Sequence, residues 1–366
     1  MSPQAMLIVQ TLLGVAVGVA LTVFLRSRST PTTVGLLAAL ALAAIPVTTW
    51  DPPASNGRRL RVVSVLDGAT TQALAAAFTR ETGIVCDVDP FAGGTQTTVE
   101  LIQQGRVQPD VLLGGTVEIH ERLARDDKLA RYDLPPDPAR VADYDDPDQR
   151  WTPLYLGYIA LVYRPLPSFQ SHPPEWLTLI QPQWNGRVTI PSPTASGGGL
   201  VFLATQILRQ PDPERAWRYM ELLVDSGARF EDRSDIPISR VAAGTMDLGV
   251  AWAHDILRRR EVERLPVELR IPDQTGYEVG GVSILQWARD RDAAAAFVRF
   301  LTGPVAGEIQ VREGRRVPLR TDVDPPEYIE AGRLDSSATA FYDRVAVLAN
   351  RETWGARWQD LLTPVP

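Results

Sequence analysis

The sequence predicts an α/β protein built from two series of alternating strands and helices. The first series starts at Leu60, where a short apolar run at 61–65 leads into an alanine-rich helical pattern at 70–80 and a second apolar run at 84–88. The second series follows a long apolar and aromatic run at 151–163, which predicts an extended strand. Repeated units of this kind predict parallel sheets covered by helices, with ligands bound where the strands end.

Length, composition and charge exclude several classes of protein. The chain has 366 residues, enough for two domains of ordinary size, and its 45% apolar and 22% charged residues are typical of a globular protein. The net charge of -7 argues against a nucleic-acid partner, which would require a basic patch. The single cysteine, Cys86, lies in a run that predicts a buried strand, so we interpret it as a packed thiol; it excludes an internal disulfide.

The N-terminal region contains two apolar runs that predict export of the rest of the chain. Met6–Leu25 is long enough to span a bilayer, and Arg26 and Arg28 separate it from a shorter run at 34–47. The positive-inside preference places this arginine loop in the cytoplasm. Two alternatives remain, a retained membrane anchor and a signal peptide whose apolar core is the second run. In both, residues 1–57 form the anchor or signal segment and a tether, and the remainder is extracytoplasmic.

A glycine-rich loop stands at the centre of the second series. A strand ends near Ile190, Pro191 and Pro193 mark a turn, and Ser196 with three glycines opens an apolar helical pattern. Such a junction leaves backbone N–H groups without partners at the positive end of a helix dipole, which favours an anionic or strongly polar ligand. The alternative is a flexible loop with an ordinary serine cap. The loop lacks the Gly-Lys-Ser/Thr ending of a Walker loop and the dinucleotide GxGxxG pattern.

Several segments, in order between Leu60 and Asp322, resemble the type II periplasmic solute-binding proteins of ABC importers. The subgroup that handles ferric iron, phosphonates, thiamine and similar small polar solutes is the most similar. The segments that carry the resemblance are FTRETGI at 78–84, PDVLLGGT at 109–116, PQWNGRVTIPSP at 182–193, the Ser196-Gly197-Gly198 loop, AGTMDLGVA at 243–251, GGVS at 280–283 and the helix that ends at Leu301.

The resemblance implies two α/β lobes joined by two crossover strands that close on a ligand like a hinge. Lobe 1 would comprise residues 58–156 plus 275–366, and lobe 2 residues 157–274. The implied function is non-enzymatic: an extracytoplasmic protein that captures a small polar or anionic solute for an ABC permease in the membrane. The solute would be a phosphonate or phosphate ester, or a ferric ion or ferric complex, and no cofactor is expected.

Ligand contacts are expected at the strand ends of both lobes. His254 follows the strand at 248–251, where family members keep ligand-binding side chains, and Tyr277 lies near the second crossover. For each loop the alternative is a tight turn or a helix cap without a ligand. The candidate ligand-binding residues are Asp67, Thr70, Gly94, Thr95, Thr116, Ser196, Gly197, Gly198, Trp252, His254, Asp255 and Tyr277.

Two of these regions argue against a bare ferric ion as the solute. Relatives that hold bare iron carry an adjacent tyrosine pair after the strand that corresponds to 248–251, and this chain has Ala253-His254 there. Where those relatives place a histidine after the first strand, this chain has Asp67. Phenolates suit Fe(III), so the loss of both features disfavours it. Asp67, His254 and Asp255 remain a candidate mixed oxygen and nitrogen metal site.

Two other functions stay open at this stage. An extracytoplasmic sensor would pass closure of the cleft to a membrane signalling partner. An enzyme on the same scaffold would need catalytic residues, but the sequence has no HExxH, GxSxG or Cys/His pair. His254 with Asp255 lacks an evident nucleophile.

Overall fold

The computed structural model describes residues 56–90, 95–328 and 341–363. None of the helices within these ranges is long and apolar enough to cross a membrane. The apolar runs at 6–25 and 34–47 lie outside the described residues, as does the candidate site residue Gly94. The N-terminal membrane attachment therefore stays a prediction.

The first lobe alternates strands and helices as the sequence predicts. Its elements are β1 (Arg59–Ser64), α1 (Gly68–Thr82), β2 (Val85–Pro90), α2 (Thr95–Gln103), β3 (Val111–Thr116) and α3 (Val117–Arg125). The three strands are parallel, in the order β2-β1-β3, and Leu60 and Phe78 are buried in the core beneath them. Cys86 is half-buried on β2, where burial raises the pKa of its thiol to about 12. The thiol therefore stays protonated at neutral pH.

The second lobe forms its own α/β unit around a separate apolar core. Its helices are α4 (Pro167–Ser171), α5 (Gly197–Leu208), α6 (Pro213–Asp225), α7 (Ile236–Ala242) and α8 (Ala253–Glu261). Its strands are β5 (Val188–Pro191), β6 (Arg229–Glu231), β7 (Leu248–Trp252) and β8 (Glu268–Arg270), and two short 3₁₀ helices occupy Trp176–Ile180 and Pro182–Trp184. β5 pairs in parallel with both β6 and β7, so the ends of these strands lie at one edge of the sheet.

Two antiparallel strands cross between the lobes, β4 (Trp151–Tyr163) and β9 (Tyr277–Ile284). β9 lies between β3 and β4. The first part of β4 pairs with β9, and its second part pairs with β7 and β8, so one strand belongs to the sheets of both lobes. The predicted two-lobe α/β fold with crossover strands is thereby confirmed.

The segment after β9 divides between the two lobes. Its elements are α9 (Arg291–Leu301), α10 (Pro304–Arg312), the short strand β10 (Val317–Pro318) and α11 (Arg344–Leu362). Phe297 and Phe300 of α9 pack on Phe78 in lobe 1, with ring centroids 4.9 and 5.6 Å away. Val347 and Trp358 of α11 instead join the apolar core of lobe 2. The predicted bounds assign residues 275–366 to lobe 1, whereas α11 packs on lobe 2.

Candidate functional site

A cavity of about 340 Å³ lies between the lobes, where the strand-end loops of both meet. Its size falls within the range usual for small-molecule sites. Lobe 1 lines it with Val65, Leu66, Asp67, Gly68, Thr95, Gly115, Thr116 and Arg316, and the crossover strands add Tyr155 and Glu278. Lobe 2 lines it with Ser196, Gly197, Arg233, Ser234, Asp235, Trp252, His254, Asp255 and Arg258.

Six helices begin at or beside this cavity, three from each lobe. In lobe 1 they are α1, α2 and α3, and in lobe 2 they are α5, α7 and α8. Ser196 caps α5 by accepting a hydrogen bond from the backbone N–H of Gly199 at 3.1 Å, and Thr116 begins α3 without a side-chain cap bond. Helix N-termini carry partial positive charge and unpaired N–H groups, so their convergence favours a negatively charged ligand.

Asp67 is the centre of an ion-pair cluster with Arg258 and Arg316. It caps α1, accepting hydrogen bonds from Thr70 N at 2.9 Å and Thr70 Oγ1 at 2.8 Å. Arg316 Nη1 donates to its Oδ2 at 3.0 Å, and Arg258 Nε lies 4.0 Å from its Oδ1. Burial alone would raise the pKa of this carboxyl, but Arg316 and the Thr70 hydrogen bonds hold it below its usual range. Asp67 is therefore ionised, and it orients the two arginines toward the cavity.

Arg258 and Arg316 each have a buried Nε–H group that could donate a hydrogen bond to a ligand. Arg316 is 3% exposed, lies 5.1 Å over the ring of Tyr155, and its Nε has no hydrogen-bond partner among the described residues. Arg258 donates to Glu263 at 3.0 Å, and its buried Nε is likewise without a described partner. A third arginine, Arg233, lines the cavity and donates to Asp235 at 2.9 Å. Buried donors without partners are costly, so an acceptor on a bound solute would stabilise them.

His254 and Glu278 form a neutral cluster beside the arginines, and Asp255 lies next to them. His254 Nε2 lies 3.8 Å from Asp255 Oδ1 and 3.9 Å from Glu278 Oε1, beyond hydrogen-bond distance. Burial raises the pKa of Glu278 to about 8, raises that of Asp255 and lowers that of His254 well below its ordinary value. At neutral pH Glu278 is mostly protonated and His254 uncharged, so this part of the cavity offers neutral donors and acceptors.

The candidate mixed metal site is not assembled. No group of three or more His, Cys, Asp or Glu side chains suited to a metal ion occurs among the described residues. The carboxylate of Asp67 contacts Thr70, Arg316 and Arg258. Because two arginines already lie beside it, electrostatic repulsion would disfavour a metal ion there. This arrangement corrects the expectation that Asp67, His254 and Asp255 would share a metal.

The structure brings most of the sequence-derived candidates together at the cavity. Those that line it are Asp67, Thr95, Thr116, Ser196, Gly197, Trp252, His254 and Asp255. Thr70 is fully buried behind Asp67, and Gly198 lies behind the wall, where a Cβ would be 2.6 Å from Ser234 Oγ. Tyr277 does not line the cavity but packs on Tyr342 with ring centroids 5.2 Å apart.

Sequence reasoning missed the charged residues that come from outside the recognisable loops. Arg316 precedes β10 and is separated from its partner Asp67 by 249 positions. Glu278 lies on β9, one residue after Tyr277, and the sequence predicts Tyr277 as the ligand-binding residue of this strand. Arg233, Ser234 and Asp235 directly follow the short strand β6. Recognising β6 as a strand of the parallel sheet would have predicted these residues, because ligands bind where such strands end.

The chain is similar to known proteins in sequence and in fold. A family model described as bacterial extracellular solute-binding protein matches residues 63–316. A Haemophilus influenzae protein of uncharacterised function is 25% identical over 311 residues, which cover 81% of this chain and 84% of that protein.

Solved structures that share the fold include those of AfuA and HitA. The periplasmic binding protein AfuA from Actinobacillus pleuropneumoniae, with exogenous fructose-6-phosphate bound, has a TM-score of 0.73 and 22% identity, covering 83% of this chain and 98% of that one. Iron-bound HitA from Pseudomonas aeruginosa has a TM-score of 0.68 and 19% identity, covering 83% and 99%.

Proposed function

Because the chain belongs to the bacterial extracellular solute-binding proteins of ABC importers, we propose that its solute is a small organic phosphate with several hydroxyl groups. The observation that carries this proposal is the set of positive groups that meet at the cavity. Arg233, Arg258 and Arg316 converge on it with six helix N-termini, while Glu278 is held neutral. A phosphate group would supply acceptors for the buried Nε donors of Arg258 and Arg316, which have no hydrogen-bond partner among the described residues.

The remaining polar groups suit the hydroxyls of such a solute. Ser196, Ser234, Thr95 and Thr116 line the cavity with neutral side-chain hydroxyls. The neutral cluster adds a protonated carboxyl at Glu278 and an uncharged imidazole at His254. Trp252 lies stacked on His254, with ring centroids 6.0 Å apart and planes at 11°, and offers an apolar face to a carbon skeleton. AfuA, with fructose-6-phosphate bound, is a fold-level precedent for this class.

A bare ferric ion fits the cavity less well. Iron-bound HitA shows that the fold accommodates iron, but at 19% identity the likeness extends to the fold alone. The tyrosine that lines the cavity here is Tyr155, and burial, with Glu278 nearby, raises the pKa of its phenol far above the usual value. A phenol that resists ionisation is a poor ligand for Fe(III), which prefers phenolate.

Ligand-induced stabilisation tests the solute class. The full chain, purified in detergent and stripped of bound solute, is titrated with fructose 6-phosphate, glucose 6-phosphate, inorganic phosphate and ferric citrate. An organic phosphate at about 100 times its Kd stabilises the protein by about 2.7 kcal/mol and raises its Tm. Stabilisation by ferric citrate with no response to either sugar phosphate would overturn the proposal.

A matched pair of variants locates the binding in the cleft. Arg258→Gln removes a cavity arginine, and we expect it to weaken binding of the responding organic phosphate about ten-fold or more. Arg312→Gln removes an exposed arginine paired with Glu313 outside the cavity; we expect no change. Equal effects of the two substitutions in isothermal titration would contradict the assignment of Arg258.

The family assignment favours transport over the sensor, and the similar structures are those of binding proteins. The protein acts outside the cytoplasm with a membrane permease as its partner. We further propose that the apolar runs at 6–25 and 34–47 tether it to the membrane. After cell fractionation, the full chain should sediment with membranes, and a chain lacking residues 1–57 should not.

A further inference from the structure

The C-terminal helix α11 is firmly seated on lobe 2. Trp358 is fully buried, with its ring centroid 4.6 Å from that of Phe230. Arg357 donates to both carboxylate oxygens of Glu214 at 2.7 and 2.6 Å, and its guanidinium lies 4.5 Å over the ring of Trp217. Its later turns therefore move with lobe 2 whenever the hinge moves.

The first turn of α11 reaches lobe 1 instead. The Arg344 guanidinium lies 3.8 Å from Glu118 and 4.0 Å from Glu121, both on α3, and 5.8 Å over the ring of Tyr144. The Arg344 side chain is 19% exposed and that of Glu118 is 11% exposed, so this contact is shielded from solvent. One helix thus contacts both lobes.

Between these two attachments, α11 lies directly behind the cleft. A small cavity of about 40 Å³ is lined by Thr116 and Glu118 of lobe 1, by Thr194 and Ser196 of lobe 2, and by Arg351 of α11. Gln359 donates to Thr194 Oγ1 at 2.8 Å, which ties the helix to the loop that precedes α5. The lobes approach each other closely beside this cavity, since a Cβ added to Gly197 would lie only 3.1 Å from Thr116 Cγ2. The structure is therefore that of a closed cleft.

We propose that α11 is a strap that holds the cleft closed, with the contact between Arg344 and the pair Glu118 and Glu121 as its releasable end. An opening motion that separates Thr116 from Gly197 moves α3 away from lobe 2 and breaks this contact. The strap thereby raises the closed population of the solute-free protein and slows solute release. This regulation rests on the proposed solute-binding function but not on the identity of the solute.

Interlobe distances in the solute-free protein test the strap without any ligand. Spin labels are placed at exposed positions in the full chain, in lobe 1 with Arg80→Cys and in lobe 2 with Asp225→Cys, on a Cys86→Ser background. Arg344→Gln should shift the distance distribution toward longer values. The double variant Glu118→Gln and Glu121→Gln should give the same shift, and combining all three substitutions should add nothing further.

The control is Arg218→Gln, which removes an arginine paired with Glu221 within lobe 2. It should leave the distribution unchanged. With the solute that responds in the titration above, Arg344→Gln should raise the dissociation rate about five-fold. An unchanged distribution in a folded Arg344→Gln protein, or an equal shift in the control, would overturn the strap. If no solute responds, the proposed solute class fails, while the distances still decide this inference.

Discussion

The ion-pair cluster and the neutral cluster meet in one cavity but respond to burial in opposite ways. Asp67 keeps its charge because Arg316 donates to it at 3.0 Å, and the pKa of its carboxyl falls. Glu278 accepts no hydrogen bond from a cation among the residues that the structure describes, and burial raises its pKa to about 8. A buried carboxyl stays ionised only where the fold supplies a partner in direct contact. Protonation of Glu278 therefore leaves the cavity less negative than its four acidic residues, Asp67, Asp235, Asp255 and Glu278, would make it if all were ionised.

The largest effect is expected from breaking the ion-pair cluster. Arg316→Met removes the partner of Asp67 and leaves a buried carboxylate uncompensated, which we expect to cost about 3 kcal/mol of unfolding free energy. Adding Asp67→Asn should recover at least about 1 kcal/mol, because asparagine still caps α1 and carries no charge. Urea unfolding of both variants measures this, and a double variant less stable than Arg316→Met alone would show that the pair is not the stabilising unit.

A smaller effect is expected from altering the wall behind the neutral cluster. A Cβ at Gly198 would lie 2.6 Å from Ser234 Oγ and 3.5 Å from Trp252. Gly198→Leu should push both side chains into the cavity and weaken solute binding about ten-fold, with little change in Tm. Isothermal titration with the responding solute measures the loss, and an unchanged Kd would mean that the glycine serves only the backbone of the loop.

The most specific effect concerns the pH dependence of the neutral cluster. The folded-state pKa of Glu278, about 8, lies above its ordinary value of 4.5, so the folded protein binds a proton that the unfolded chain has lost. This group therefore lowers stability as pH rises from about 4.5 to about 8. Glu278→Gln removes that dependence, and its stability relative to the wild type should increase from pH 5 to pH 8. A constant difference across this interval in urea unfolding would show that Glu278 is ionised in the fold.

The sequence was most informative where a site residue directly follows a strand. Ser196, Gly197 and His254 lie just beyond β5 and β7, so the local strand-loop-helix pattern together with the family resemblance predicted their place at the cleft. Asp67 was also placed correctly at the cavity, but its carboxylate is engaged by Thr70 and Arg316, a role that depends on a residue from the other end of lobe 1.

The residues that set the charge of the cavity could not be predicted in this way. Arg316 comes from a loop before a two-residue strand, and Glu278 points into the site from within β9. No local sequence pattern marks Arg316 or Glu278 as a site residue, because only tertiary folding brings these side chains to the cleft. The attachment of α11 to lobe 2 also escaped prediction, since the resemblance ended at Asp322 and the packing of Trp358 depends on Phe230 in a distant strand.

The position of β9 between β3 and β4 also determines the order in which the protein can be assembled. All the strands of the lobe 2 sheet have been synthesised once Arg270 has emerged, although α11 joins the core of this lobe only later. The sheet of lobe 1 lacks its central strand until residues 277–284 follow, so β3 and β4 cannot be joined earlier. For a chain that crosses a membrane from its N-terminus, the sheet that begins to emerge first is therefore completed last. Until then the edge of β3 is an open site for mispairing, which makes this interval the one in which a chaperone would have most effect.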